Sequence, residues 1–273
     1  MYSNRQKKGF TLIELLVVIA IIALLLAMMI PGLKKAQELT RDVTCRSNLR
    51  QWGVIWKVYA DEYDGKLPDC TGYAALRGDW IIALRDDYPT GKMTLCPNAT
   101  KWVDYGVPAG NSGGVFSTYR NIYNDGTVEY CSYGMNVWSY STIHWAMQPN
   151  AEEKIWGRFE VEGTSNVPLF MDSIYRGGFP SYGGYDSMNM PADEYPDNGF
   201  DHVYDGIRQF AMPRHGSGGK AGTNVLFFDL GARHIDVKEI WTLKWHRNFD
   251  THEYLNNIST IWPGTWMDKF DNP

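Results

Sequence analysis

From Leu15 to Ile30 the chain runs sixteen residues without a polar side chain, and this run limits what the N-terminal end can become. Taken from Phe10, the stretch to Ile30 is 21 residues. As a helix it would be about 31 Å long at roughly 1.5 Å per residue, enough to cross a bilayer's hydrocarbon core. Arg5, Lys7 and Lys8 precede it, which favours a cytoplasmic N-terminus and export of everything beyond Ile30. One residue breaks the pattern. Glu14 lies near the start of the apolar segment, and an ionised acid in a membrane helix costs about 2.5–3.5 kcal/mol on insertion scales, so it needs a partner.

The chain can supply that partner itself. Cleavage between Gly9 and Phe10 would expose an α-amine one helical turn from Glu14, or within reach of Glu14 on a neighbouring copy. The stretch Gly9-Phe10-Thr11-Leu12-Ile13-Glu14-Leu15-Leu16-Val17-Val18-Ile19 resembles the leader and first helix of type IV pilins and type II secretion pseudopilins. The resemblance implies that prepilin peptidase cuts after Gly9 and N-methylates Phe10. It also implies that Glu14 aligns subunits and that Pro31 is the helix-kinking proline. Two plainer readings explain less. A cleaved secretory signal has an apolar core of roughly 7–15 residues, shorter than this one. A simple signal anchor accepts the length but accounts for neither Gly9 nor Glu14.

Removing residues 1–9 takes away three of the 26 basic side chains and leaves 23 against 31 acidic ones, a formal charge of −8. An acidic exported head argues against a nucleic-acid surface, which needs clustered Lys and Arg. Four cysteines, Cys45, Cys70, Cys96 and Cys131, fall in the exported part, and an even count there suggests up to two disulfides with three possible pairings. Four buried free thiols are the alternative. No two stand at CxxC spacing, which argues against a zinc or thioredoxin-like reading. The 11 Trp and 17 Tyr suit either a large aromatic core or surfaces that stack on sugars or proteins.

Beyond Pro31 and Gly32 a helical pattern resumes. Cys45, Leu49, Trp52, Trp56, Tyr59 and Tyr63 recur at spacings of 4, 3, 4, 3 and 4. This predicts one helix from Phe10 to about Tyr63, stopped by Asp64-Gly65-Lys66-Leu67-Pro68, with its second half packed under a head. Trp80–Leu84 reads as a short helix. Residues 129–133, 154–156, 167–172 and 224–228 read as strands, with 232–237 as the hairpin partner of the last. Lys238–Asn248 reads as a helix. Residues 176–206 read as a long irregular loop.

Several patterns invite chemistry without the context it needs. Gly110-Asn111-Ser112-Gly113-Gly114 fits GxSxG, but neither the strand before it nor the helix after it is present in the sequence. Gly216-Ser217-Gly218-Gly219-Lys220 fits a relaxed phosphate loop, yet it precedes a strand instead of following one. His215 reads as a structural hydrogen-bonding residue in preference to a metal ligand. The loop acids Asp186, Asp193, Glu194, Asp197, Asp201 and Asp205 are a candidate calcium set, because calcium takes six to eight oxygens from such groups. The resemblance adds weight there, since some major pseudopilins order their heads with a loop calcium. No other cofactor is expected. The C-terminal region loosely resembles pseudopilin-like proteins carrying His, nine residues and Asp-Gly. Here thirteen residues separate His215 from Asp229, which is followed by Leu230 and Gly231, so both spacing and pair depart from that pattern.

These readings converge on an α+β, pilin-like chain: leader 1–9, long helix 10–64 with 10–30 as membrane or filament core, and head 65–273 on an antiparallel sheet. The expected role is structural, not enzymatic. Expected partners are prepilin peptidase, other pilin-like subunits, and the inner-membrane platform of a secretion or pilus machine. The expected location is the inner membrane, with a cytoplasmic N-terminus and an exported head, then a periplasmic or surface filament. The alternative is an anchored envelope module whose aromatic-rich head binds glycans or proteins.

Overall fold

The computed structural model describes residues 10–70, 79–88, 91–102, 114–122, 126–143, 150–178, 206–252 and 270–271. The chain divides into two compact units, Met1–Thr40 and Arg41–Pro273. Helix α1, Leu12–Glu62, contributes to both and contains Pro31. It begins and ends close to the predicted limits. At its C-terminus Asp64 adopts a left-handed conformation, φ 56°, and Gly65 N donates to Ala60 O at 2.6 Å. That six-to-one bond closes the helix as a Schellman motif does. Gly65 also has positive φ, and a Cβ there would lie 2.9 Å from an Arg158 guanidinium nitrogen.

In the second unit the centre is a mixed five-stranded sheet. Its members are β4 (Tyr133–Asn136), β6 (Pro168–Asp172), β7 (Gly177–Gly178), β8 (Gly222–Phe227) and β9 (Ala232–Asp236), in the order β7-β4-β6-β8-β9. The pairs are antiparallel except β4 with β7. β6 and β8 are buried along their whole length, which explains their apolar runs. β2 (Tyr119–Ile122) and β3 (Val128–Cys131) form a separate antiparallel pair. β1 (Asp69–Cys70) pairs in parallel with β5 (Thr142–Ile143). Short helices α2 (Asp79–Ala83) and α3 (Ala151–Lys154) complete the elements used below.

The periodic stripe of α1 seats it on this sheet. Cys45, Leu49, Trp52, Trp56 and Ala60 are buried. Trp52 and Trp56 lie with ring centroids 5.1 and 5.9 Å from Phe170 of β6, and Trp80 of α2 lies 4.8 Å from the same ring. Two of these three buried indole N–H groups find acceptors, Trp52 Nε1 donating to Met93 O at 3.1 Å and Trp80 Nε1 to Arg176 O at 2.6 Å, whereas Trp56 Nε1 has none among the described residues. Gly53 permits this approach, since a Cβ there would stand 3.1 Å from Leu226 Cδ1 and 3.2 Å from Leu230 Cδ2. The stripe ends differently from the prediction. Ala60 reaches the core, whereas Tyr63 is exposed and stacks on half-buried Tyr59 at 4.3 Å.

Other expectations are corrected by tertiary hydrogen bonds. Residues 154–156 form no strand: Lys154 closes α3, and Trp156 N donates to Trp138 O at 2.7 Å. The predicted helix 238–248 is a 3-10 turn, Val237–Thr242, followed by irregular chain. There Lys244 N donates to Asn166 O and Arg247 N to Lys154 O, so these amides leave the local ladder. The β8–β9 hairpin is present, pairing Leu226 with Ala232 and Asn224 with His234.

Candidate functional site

In the first unit, Phe10 to Leu33 carries seventeen large apolar side chains, all exposed, the least exposed being Val18 at 45%. A helix apolar on every side suits lipid or the packed interior of an assembly. The segment is long and apolar enough to cross a membrane. At its start Glu14 is held by Thr11. Thr11 N and Oγ1 donate to Glu14 Oε2 at 2.9 and 2.7 Å, and Glu14 N donates to Thr11 Oγ1 at 3.3 Å. This is a capping box, with Thr11 at the N-cap and Glu14 three residues on. Sequence reasoning paired Glu14 only with the new α-amine, of its own or a neighbouring copy, although Thr-x-x-Glu was there to be read. Gly9 lies outside the described residues.

The second unit holds a buried polar centre that the sequence did not reveal as one site. Four separated segments meet there: Cys45 on α1, Cys96 after the 3-10 turn Lys92–Thr94, Asp172 at the end of β6, and His215 just before β8. All four side chains are buried, and their donor atoms lie within 4.8 Å of one another. His215 Nε2 is 3.0 Å from Asp172 Oδ2 and 3.2 Å from Cys96 Sγ. Cys45 Sγ is 3.5 Å from both Asp172 oxygens.

The surroundings hold each group in place. His215 exchanges backbone bonds with Gly222 at 2.9 and 2.8 Å. Its Nδ1 faces Asp42 Oδ1 at 3.4 Å and the Asn98 amide at 3.2 Å. Asp42 in turn accepts from Asn224 Nδ2 and Arg46 Nη2, each at 2.8 Å. Cys96 N donates to Ser132 Oγ at 2.5 Å, and the Tyr133 hydroxyl donates to Cys45 Sγ at 3.4 Å. Asp172 accepts from Asn224 N at 3.1 Å and from Arg214 Nη1 at 3.2 Å. Arg214, wholly buried, spends its remaining donors on the Val115, Ser132 and Ser173 carbonyls.

Burial alone would raise the Asp172 carboxyl, but the His215 and Arg214 charges beside it hold it well below the usual range. Burial would likewise lower His215, yet Asp172 raises it to about 10. Burial drives the Cys45 thiol well up. It acts the same way on Cys96, where hydrogen bonds from Cys45 and His215 prevail and bring the thiol down to about 7.

Of the two readings of the cysteines, the structure has the second: Cys45, Cys70, Cys96 and Cys131 are buried thiols, none of them in a disulfide. The reason is partnership, since Cys45 and Cys96 face Asp172 and His215, and Cys131 Sγ accepts from Asn121 at 3.8 Å. His215 is buried, whereas Asp229 of the divergent motif is exposed and accepts from Gly231 N at 2.8 Å within the hairpin turn, where Leu230 has φ 63°. The glycine stretch 216–220 is no phosphate cradle, because Lys220 Nζ is engaged by Asp236 at 3.1 Å and Asp271 at 3.7 Å. Most of the GxSxG stretch lies outside the described residues, as do the candidate calcium acids Asp186, Asp193, Glu194, Asp197, Asp201 and Asp205. Of the described tryptophans all but Trp102 are buried, so these serve the core.

Comparison with known proteins agrees with the N-terminal geometry. Residues 4–30 match the prokaryotic N-terminal methylation motif. The chain is 31% identical over 99 residues to the ComG operon protein 3 homolog of Bacillus licheniformis, which is 36% of this chain and 99% of that protein. It is 53% identical over 45 residues to the type IV wide pilus major component PilA4 of Thermus thermophilus, 16% of this chain and 34% of that protein. No solved structure matches. A methylation motif on an exposed apolar helix, an α+β head and a relative matched over nearly its full length lead to one conclusion: the chain belongs to the type IV pilin and pseudopilin-like family.

Proposed function

We propose that the protein is a structural subunit of a type II secretion-like or type IV pilus-like filament. Prepilin peptidase removes residues 1–9 and N-methylates Phe10 at the inner membrane, while the head is exported. Copies then gather through their N-terminal helices. The observation that carries this reading is the exposed apolar surface of Phe10–Leu33, interrupted by the single acid Glu14. Such a surface is stable only in lipid or against like helices. An acid in that setting gains from docking onto a neighbour's amine. The head's role is to shape the subunit and present its surface, not to catalyse.

The capping box gives Glu14 a second duty, and one pair of variants separates the two. Glu14→Gln keeps a side chain able to close the box but removes the charge. Glu14→Ala removes both. If charge pairing drives assembly, cross-linking of filaments in intact cells will show both variants excluded while their heads remain folded. Assembly of Glu14→Gln at the wild-type level would overturn the pairing.

A further inference from the structure

We propose that Cys45, Cys96, Asp172 and His215 form a structural zinc site that ties helix α1 to the sheet of the head. This rests on the geometry of the second unit alone and holds whether or not the subunit enters a filament. The donor set is two thiols, one imidazole and one carboxylate, a combination that favours zinc in tetrahedral coordination over calcium or magnesium. With bonds of about 2.3 Å to sulfur and about 2.0–2.1 Å to nitrogen and oxygen, the edges of such a tetrahedron are roughly 3.3–3.8 Å. Three of the six edges are already near that size, at 3.0 Å from His215 Nε2 to Asp172, 3.2 Å from Cys96 Sγ to His215 Nε2, and 3.5 Å from Cys45 Sγ to Asp172, and all four donors lie within 4.8 Å of one another.

Charge supports the same assignment. Burying a carboxylate, a guanidinium, two thiols and an imidazole in one place is costly unless each is balanced. Two thiolates, the Asp172 carboxylate, the Arg214 guanidinium and a divalent ion come to zero, with His215 neutral. The bound ion takes the place of the two thiol protons and of any proton on His215 Nε2, all released to solvent. The outer layer has the form a metal-bound histidine needs. Asp42 Oδ1 stands 3.4 Å and Asn98 Nδ2 3.2 Å from Nδ1; with zinc on Nε2, Nδ1 would carry the proton and donate it to the Asp42 carboxylate. Asp42 is itself fixed by Asn224 and Arg46. Four protein ligands, all buried, make a closed site, the kind that supports folding, not hydrolysis.

The test uses the full-length chain purified in detergent, without a histidine tag, and dialysed against zinc and then against metal-free buffer. Elemental analysis should find about one zinc per chain. Cys70→Ser and Cys131→Ser should retain it, and Cys96→Ser and Asp172→Asn should lose most of it. Asp42→Asn leaves all four ligands in place and should weaken zinc binding about 10–100-fold in a chelator competition. Should the ligand variants fail to fold, cobalt(II) added to chelator-stripped wild-type chain gives a second readout. Thiolate-to-cobalt charge-transfer absorption together with intense tetrahedral d–d bands is the expected signature. Three results would overturn the site: wild type that holds no zinc, zinc retained equally by Cys96→Ser as an adventitious ion only, or a Cys45–Cys96 disulfide found by mass mapping of the zinc-treated chain.

Discussion

Helix α1 carries two regions of opposite design in one continuous element. Between Phe10 and Leu33 every large apolar side chain is exposed, whereas between Arg41 and Glu62 Cys45, Leu49, Trp52, Trp56 and Ala60 form a stripe that is buried against the sheet, with Val43, Val54 and Val58 left outside it. The difference lies in the pattern, not in helix propensity. An all-round apolar surface has no preferred side to bury inside its own chain and waits for lipid or other copies. A stripe repeating every three or four residues has one side, and the chain covers it itself. The second region serves folding, and on the proposed function the first serves assembly.

Separating the regions should produce the largest effect. A chain beginning at Arg41 should lose membrane association altogether yet keep a cooperative unfolding transition, measured by fractionation and circular dichroism. A fragment that fails to fold would show that the head depends on the first region. Next in size, Trp52→Ala should cost the head about 3–5 kcal/mol in chemical denaturation, as loss of a fully buried tryptophan does. Leu16→Ala in the exposed region should leave the head's transition unchanged. A smaller loss, about 1–3 kcal/mol, is expected for Gly53→Val, because the added methyls meet Leu226 and Leu230.

The smallest effect concerns pH. His246 lies against Trp138 at 5.1 Å and Phe249 at 5.3 Å; burial first, then Lys154 and Lys244, lower it to about 4. In the unfolded chain the imidazole titrates near 6.5. The unfolded state then binds the extra proton, so this contribution is full above about pH 6.5 and is lost as pH falls toward 4. His246→Phe should flatten that part of the melting-temperature profile relative to wild type. An unchanged profile would show that the ring is not held neutral.

The helix, the strand of residues 167–172 and the 224–237 hairpin were legible because each follows a short-range rule. Periodicity named the buried face of α1, and turn chemistry at Asp64-Gly65 and Asp229-Leu230-Gly231 placed two chain reversals. The buried centre followed no such rule. Cys45, Cys96, Asp172 and His215 are separated by dozens of residues, and only the sheet order and the seating of α1 bring them together. Asp172 read as the end of an apolar strand. The helix expected at 238–248 failed for a related reason: tertiary acceptors at Asn166 and Lys154 capture amides that local pattern assigns to a ladder. Thr11, by contrast, was overlooked although its spacing from Glu14 is a local signature.

The claim that the first region is a processed assembly helix meets its most direct test in the N-terminus of the protein isolated from the membranes of its host. Intact mass and N-terminal peptide mapping should find a chain that starts at Phe10 and carries an N-methyl group. A chain that still starts at Met1, or one that starts beyond Ile30, would contradict it.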